Sequence, residues 1–199
     1  MQHSIILASG SSIRAELLQR AGVSFSVMKP RVDEEMIKSA MLAEGESPRN
    51  IADALAQAKA EKVSMKEPSA FIIGCDQVLA FDGRILSKPE SSDDAGAQLR
   101  TLSGKTHELF TAAVICQDGR AIWRKVSDVR MTMRPISDSY LDSYISRNWP
   151  EISHACGSYQ VEAEGSRLFS KIDGDHFAVM GLPLLEILDY LALRGVIDS

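Results

Sequence analysis

The sequence is poor in cysteine, and the cysteines it has are isolated. Cys75, Cys116 and Cys156 are the three cysteines among 199 residues, and no two of them form a C-x-x-C motif. An odd number of widely spaced cysteines argues against a disulfide framework and against a zinc site. This usage favours a reducing compartment, so we expect a cytoplasmic protein.

Long hydrophobic runs and an excess of basic residues are also missing. The first residues, Met1 to Ser4, lack a basic segment, and the apolar run from Ile5 to Ala8 is far too short for a signal peptide or a membrane span. The formal net charge of -5 argues against a broad nucleic-acid surface, although it permits a local basic pocket. We therefore expect neither a membrane nor a nucleic-acid polymer as partner, and any phosphorylated ligand should be a small molecule.

The composition is sufficient for a buried hydrophobic core, since 45% of the residues are hydrophobic and 25% are charged. No repeat or low-complexity linker divides the chain, so we expect residues 1–199 to form one domain or two intimate lobes. Periodicity predicts an α/β fold with long antiparallel hairpins. The predicted helices are Ala15–Ala21, Pro48–Met65, Ser91–Leu102, Ser137–Arg147 and Leu184–Leu193. The predicted strands are Ile5–Ala8, Phe25–Met28, Phe71–Cys75, Val78–Phe81, Arg84–Leu86, His107–Cys116, Ala121–Met133 and short strands within Gly157–Lys171.

The N-terminal turn is the first candidate site. The apolar run passes directly into Ser9-Gly10-Ser11-Ser12-Ile13-Arg14, which opens the first helix. Free N–H groups at a helix start, serine hydroxyls and an arginine can all face one anion, and phosphate is the natural ligand. A serine N-cap on an ordinary helix fits the same residues equally well, so the turn alone leaves both interpretations open.

Carboxylates form the second candidate set. Asp76 follows the apolar run Phe71–Cys75, which we interpret as a buried strand that ends at Asp76. A carboxylate at such a position can bind a metal or orient a water, or it can merely cap a turn. The acidic run Val32-Asp33-Glu34-Glu35 is typical of a solvated helix start.

Lysines and histidines give weaker signals by themselves. Lys88 precedes a proline, and Lys59 stands among alanines, but a solvated surface lysine is the ordinary interpretation of both. His107 and His154 have no second histidine or cysteine at ligand spacing, so we interpret each as a hydrogen-bonded strand histidine.

The chain has neither a nucleophile elbow nor a Walker loop. Seven short blocks occur instead in a fixed order: Leu7-Ala8-Ser9-x-Ser11-x-x-Arg14-x-Glu16-Leu17-Leu18, Val32-Asp33-Glu34, Leu55-Ala56-x-x-Lys59-Ala60, Gly74-x-Asp76, Lys88-Pro89, Leu102-Ser103-Gly104-x-x-His107 and Gly181-Leu182-Pro183-Leu184. In this order they resemble the Maf family over essentially the whole chain. The resemblance implies an elongated mixed β-sheet with flanking helices, two lobes around a cleft as in inosine triphosphatases, and often a homodimer.

The resemblance also implies an activity. Maf proteins are cytoplasmic nucleoside triphosphate pyrophosphatases, which cut between the α- and β-phosphates to leave a monophosphate and pyrophosphate. Carried over to this chain, the family pattern assigns Glu34 and Asp76 to a divalent cation, Mg²⁺ or Mn²⁺, and to the attacking water, with Asp76 activating that water. The residues that it assigns to the triphosphate are Ser9, Ser11, Arg14, Lys59 and Lys88.

Three positions depart from the commonest family pattern. Ile13 stands where arginine is usual, Gln77 where threonine is usual, and Glu162 where glutamine is usual. The usual residues belong to the branch that resembles dTTP and UTP pyrophosphatases, whereas an apolar residue, glutamine and glutamate resemble the 7-methyl-GTP pyrophosphatase branch. We therefore expect 7-methyl-GTP as substrate, with Ile13, Gln77 and Glu162 on the base-reading side of the cleft.

Two alternatives stay open beside this hypothesis. The chain could be a dTTP and UTP pyrophosphatase, or a non-catalytic nucleotide-binding regulator of cell division, a role suggested for the family through septum inhibition. The presence of Glu34, Lys59, Asp76 and Lys88 together favours an enzyme, because a regulator would not need both acids and both lysines.

Overall fold

A mixed β-sheet is the central element of the computed structural model, which describes residues 4–198. The seven strands in this range are β1 (Ile5–Ala8), β2 (Ser26–Val27), β3 (Phe71–Phe81), β4 (Arg84–Leu86), β5 (Thr106–Gln117), β6 (Arg120–Met133) and β7 (Phe169–Asp173). Their order is β2-β1-β3-β5-β6-β7, and β4 pairs with the far end of β3. Strand β1 runs parallel to β2 and β3, and the other pairs are antiparallel. The predicted α/β class with long antiparallel hairpins is confirmed.

Helices pack around this sheet. Within the described residues they are α1 (Ser12–Arg20), α2 (Glu34–Ala43), α3 (Pro48–Ser64), α4 (Ser92–Leu102), α5 (Asp138–Asn148), α6 (His176–Val179) and α7 (Leu184–Leu193). Local signals explain several starts, since the hydroxyl of Ser47 accepts a hydrogen bond from the Asn50 N–H at the N-cap of α3. In this part of the chain no helix combines the length and apolar character needed to cross a bilayer.

Strand β3 borders three groups of buried apolar residues. Ile73 belongs to a cluster with α1 and α7, Ile72 to a cluster beneath α3, and Leu79 to a cluster with α4 and α5. Side chains alternate between the two faces of a strand, so Gly74 and Asp76 share the face of Ile72 and point towards α3. Strand β3 therefore presents a carboxylate directly to that helix.

Gly74 sets the distance between β3 and α3. A Cβ at this position would collide with the backbone of Ala56 and would lie 2.7 Å from the Ala60 nitrogen. The two elements can approach this closely only because residue 74 has no side chain. The short separation brings the α3 residue Lys59 against Asp76.

Some sequence predictions are wrong in detail. Asp76 does not end its strand, because β3 continues unbroken to Phe81 and pairs with β5 through Asp76 itself, opposite Ala112. Strands were predicted within 157–171, but residues 164–168 form a 3₁₀ helix, and β7 begins at Phe169. The segment before it turns too sharply for a strand, with positive φ at Gly157 and Ser158. The expectation that Met1 to Ser4 form no signal segment lies partly outside the described residues, since it includes residues 1–3.

Candidate active site

One cleft of about 1180 Å³ contains every residue that the sequence singled out for the site. The loop after β1, the start of α2, the middle of α3 and β3, the segment after β4 and the turns before β7 all contribute to its walls. The predicted residues that line it are Ser9, Ser11, Ile13, Arg14, Glu34, Lys59, Asp76, Gln77, Lys88 and Glu162.

The centre of the cleft holds one ammonium between two carboxylates. The Nζ atom of Lys59 lies 2.6 Å from Oδ1 of Asp76 and 2.9 Å from Oε2 of Glu34. The Lys59 and Asp76 side chains are only 9% and 10% exposed, whereas Glu34, at the start of α2, is 51% exposed. The interpretation of Lys59 as a solvated surface lysine is therefore wrong.

Burial changes the acidity of Asp76. Desolvation raises the pKa of this carboxyl above the usual value of aspartate, and the nearby charges of Lys59 and Arg14 oppose part of the rise. A carboxylate whose pKa moves towards neutrality is a better proton acceptor at physiological pH than an ordinary aspartate. Asp76 can therefore provide both a negative charge and a proton acceptor.

Arg14 is fixed by the protein itself. Its Nε donates to the carbonyl of Gly181 at 2.7 Å, and its Nη1 donates to the carbonyl of Cys75 at 3.0 Å and to Oγ of Ser9 at 3.3 Å. The Cys75 carbonyl is accessible because β1 ends at Ala8, opposite Gly74, and β4 pairs with this edge of β3 only from Leu79 onward. Arg14 therefore joins α1, β3 and the loop before α7 at the wall of the cleft.

The turn after β1 has the form expected of an anion-binding loop. Ser9 is buried, and its hydroxyl accepts from the backbone N–H of Ser11 at 3.2 Å. Ser11 is the N-cap residue of α1. Because the N–H groups of the first turn point away from the helix, the N-terminus of α1 presents partial positive charge to the cleft beside Arg14.

The rim carries further lysines. Lys88 is exposed in the segment after β4, as predicted. Sequence reasoning missed Lys38, whose Nζ donates to Oγ of Ser87 at 2.6 Å and to Oε1 of Glu35 at 2.8 Å. Its position one turn after Glu34 on α2 is the signal that could have identified it. Lys38 connects α2 to the segment that carries Lys88.

The three residues predicted to read the base lie in different environments. Ile13 is half-buried on α1, and Glu162 is exposed in the turn before the 3₁₀ helix. The Nε2 atom of Gln77 donates to Oγ1 of Thr111 at 2.9 Å and to the carbonyls of Ala178 and Val179 at 2.9 and 3.1 Å. The amide N–H groups of Gln77 are thus already bonded to the protein.

Tyr159 lines the cleft and is supported from behind by a histidine. Nε2 of the buried His107 lies 2.7 Å from the Tyr159 hydroxyl oxygen, and burial lowers the pKa of His107 to about 4. The prediction of a hydrogen-bonded strand histidine is confirmed for His107, which lies on β5. It is wrong for His154, which is exposed in a 3₁₀ helix at the cleft edge.

The donor set fits a divalent cation of the magnesium type. Glu34 and Asp76 offer carboxylate oxygens to one point, and Mg²⁺ is typically held by one or two carboxylates together with substrate phosphates and water. Among residues 4–198 no group of three or more histidine, cysteine, aspartate or glutamate side chains is arranged to hold a metal. A site of two carboxylates would depend on the substrate for its remaining ligands.

Comparison with known proteins gives a consistent assignment. The family model described as Maf-like protein matches residues 4–193. The chain is 59% identical to a nucleoside triphosphate pyrophosphatase of Ruegeria pomeroyi, over 98% of each protein. It is 47% identical to one from Caulobacter vibrioides, over 97% of this chain and 96% of the relative. It is 42% identical to a 7-methyl-GTP pyrophosphatase of Brucella abortus, over the whole of both chains.

Proposed function

Because the chain belongs to the Maf family, we propose that it is a nucleoside triphosphate pyrophosphatase, a hydrolase acting on a phosphoric anhydride bond. The observation that carries this proposal is the Asp76–Lys59–Glu34 cluster, which lies in the same cleft as Arg14 and the N-terminus of α1. We assign Asp76 as the proton acceptor in this cleft and Arg14 with the α1 N-terminus as the groups that bind phosphate.

Hydrolysis requires two contributions from the protein, a proton acceptor and positive charge. Asp76 accepts the proton of a water whose oxygen bonds to the α-phosphorus. The bond from the α-phosphorus to the bridging oxygen breaks, and pyrophosphate leaves with the electron pair. Arg14, Lys88 and the α1 N-terminus stabilise the negative charge that develops on pyrophosphate.

A divalent cation would be held by Glu34 and Asp76. Such an ion, Mg²⁺ or Mn²⁺, supplies charge neutralisation at the phosphate oxygens when it is bound. Ser9 and Ser11 shape the loop that faces the triphosphate, and Arg14 keeps that loop against β3 through its bond to the Cys75 carbonyl.

For the base we propose 7-methylguanine. Glu162, in an exposed turn that lines the cleft, can accept hydrogen bonds from the N1–H and the exocyclic amine of guanine. Its charge also attracts the cationic ring of 7-methylguanine. Uracil and thymine instead present one N–H flanked by two carbonyls, which a carboxylate repels. The Brucella relative named 7-methyl-GTP pyrophosphatase supports this choice, whereas the Ruegeria relative's name specifies no base.

Steady-state kinetics with a panel of triphosphates tests the proposal. Purified protein with Mg²⁺ should release pyrophosphate from 7-methyl-GTP with a kcat/KM more than about tenfold above those for dTTP and UTP, since unpaired polar groups penalise the wrong base. Equal or higher values for dTTP or UTP would make it a pyrimidine nucleotide pyrophosphatase. Binding of nucleotides without any pyrophosphate release would favour the non-catalytic regulator.

A further inference from the structure

Lys59 stands where the divalent cation of the reaction would bind. Its ammonium lies 2.6 Å from Asp76 and 2.9 Å from Glu34, and it bridges carboxylates that come from β3 and from the start of α2. Without Lys59, two negative charges would face each other across the centre of the cleft. The protein's own cation thus holds the carboxylates together in the free state.

The ammonium can leave this position although the backbone of Lys59 cannot. Helix α3 is fixed against β3 by the contact of Gly74 with Ala56 and Ala60. The lysine stem, in contrast, has four rotatable bonds and carries a compact charge that can follow a phosphate. Arg14 lines the same cleft. A metal ion that binds without a nucleotide would therefore add its charge to a cleft that already holds the Arg14 guanidinium.

We propose that Lys59 is a place-holder for the metal, and that it moves from the two carboxylates to a phosphate when the metal and the nucleotide bind together. The inference rests on the proposed function, because it takes a triphosphate as the anion that receives the ammonium. Metal alone binds weakly, since it must displace an ammonium that then has no anionic partner. A metal and a triphosphate therefore strengthen each other's binding, and this coupling is reciprocal.

Mn²⁺ binding in the absence of nucleotide tests this inference. Electron paramagnetic resonance of free Mn²⁺ gives the dissociation constant for the wild type and for Lys59→Met, which keeps the length of the stem but removes the charge. We expect Lys59→Met to bind Mn²⁺ at least about tenfold more tightly, a difference of about 1.4 kcal/mol. Equal or weaker binding in the variant would overturn the proposal.

Two matched variants locate the effect. Lys62→Met alters an exposed lysine on the same helix and should bind Mn²⁺ like the wild type. Adding Asp76→Asn to Lys59→Met should abolish the gain, because it removes one of the two carboxylates. A gain that survives this second substitution would place the new Mn²⁺ site elsewhere and would contradict the inference.

Thermal unfolding gives a second readout. Mn²⁺ should raise the melting temperature of Lys59→Met but barely change that of the wild type, because a ligand stabilises the folded state that binds it. Lys59→Gln, a shorter neutral replacement, is measured in parallel, so that misfolding of one variant leaves the other to decide. No nucleotide is used, so a failure of the inference is distinct from a failure of the proposed function, which pyrophosphate release measures.

Discussion

The residues that we assign to the phosphates and their cleavage, here the phosphate end, include the buried and paired Asp76 and Lys59, whereas the residues that we assign to the base, the base end, are exposed or half-buried. Asp76 and Lys59 meet at 2.6 Å on elements that pack into the core. Glu162 lies in an exposed turn, and Ile13 is half-buried at the start of α1. From this difference we expect Asp76 and Lys59 to govern the chemistry, and Ile13 and Glu162 to govern the choice of base. Changes at the first end should affect rate or stability, and changes at the second should affect selectivity.

Asp76→Asn should cause the largest loss of activity. The substitution removes the negative charge that pairs with Lys59, and it removes the group that accepts the proton of the water. We therefore expect kcat to fall about 10²–10³-fold, as for other groups that stabilise a transition state electrostatically. Pyrophosphate release from the preferred triphosphate measures the loss. Asp128→Asn, an exposed strand aspartate paired with Arg49, is the control and should keep full activity. If Asp76→Asn keeps more than about a tenth of kcat, the assignment of Asp76 is wrong.

Acid should lower the free energy of unfolding through His107, which supports Tyr159 in the wall of the cleft. The pKa of His107 is about 4 in the folded state against an ordinary value of 6.5, so the unfolded state takes up a proton first as pH falls. The stability linked to neutral His107 is fully present above pH 6.5 and is lost as pH falls towards 4. This loss is on the order of 3 kcal/mol, from a cost of about 1.4 kcal/mol for each pKa unit.

Urea unfolding at several pH values measures this contribution. His107→Gln keeps a polar group beside Tyr159 but cannot titrate, so its stability should fall less steeply between pH 6.5 and pH 4 than that of the wild type. His154→Gln changes an exposed histidine and should behave like the wild type. Parallel curves for His107→Gln and the wild type would show that His107 does not cause the acid sensitivity.

Arg14→Ala and Lys88→Ala should separate structural from purely electrostatic roles within the phosphate end. Arg14 bonds to two backbone carbonyls and to Ser9, so its loss should lower the free energy of unfolding by about 2 kcal/mol besides weakening triphosphate binding. Lys88 is exposed and should affect only the kinetics, with weaker triphosphate binding and slower turnover. Denaturant unfolding and kinetics on both variants test this. Unchanged kinetics in both variants at low ionic strength would place the phosphate site elsewhere.

Glu162→Gln should produce the smallest effect, confined to selectivity. Replacing the carboxylate by an amide removes the repulsion of pyrimidine carbonyls and the attraction to a cationic base, so the ratio of kcat/KM for 7-methyl-GTP to that for UTP should fall about tenfold, or about 1.4 kcal/mol. Glu151→Gln is the control. It changes an exposed residue of the 3₁₀ helix Glu151–His154 and should leave the ratio unchanged. If Glu162→Gln leaves it unchanged too, the base lies elsewhere in the cleft.

Local signals in the sequence predicted much of the framework. Ser47-Pro48 is a helix-start signal at the beginning of α3, apolar spacing predicts α7 at Leu184–Leu193, and Asp118-Gly119 is a turn signal at the tip of the β5–β6 hairpin, where both residues have positive φ. These features depend on neighbours along the chain, so the sequence alone identifies them.

Features that depend on contacts between distant elements could not be predicted in the same way. Lys59 resembles a surface lysine until Gly74 brings α3 against β3 and buries it. Asp76 resembles a strand end because a charged residue is unexpected in a buried strand, yet the Lys59 ammonium allows β3 to continue through it. Gln77 is named by the family pattern, but its bonds to Thr111 and α6 are visible only in the folded chain.

The position of β3 at the border of all three apolar clusters also affects how the protein denatures. Phe71–Phe81 contributes Ile73, Ile72 and Leu79 to separate clusters, so none of the three clusters is complete without this strand. Withdrawal of β3 would expose apolar surface on both sides of the sheet at once. Such shared burial should link the three clusters into one cooperative unit, which heat or denaturant unfolds in a single transition.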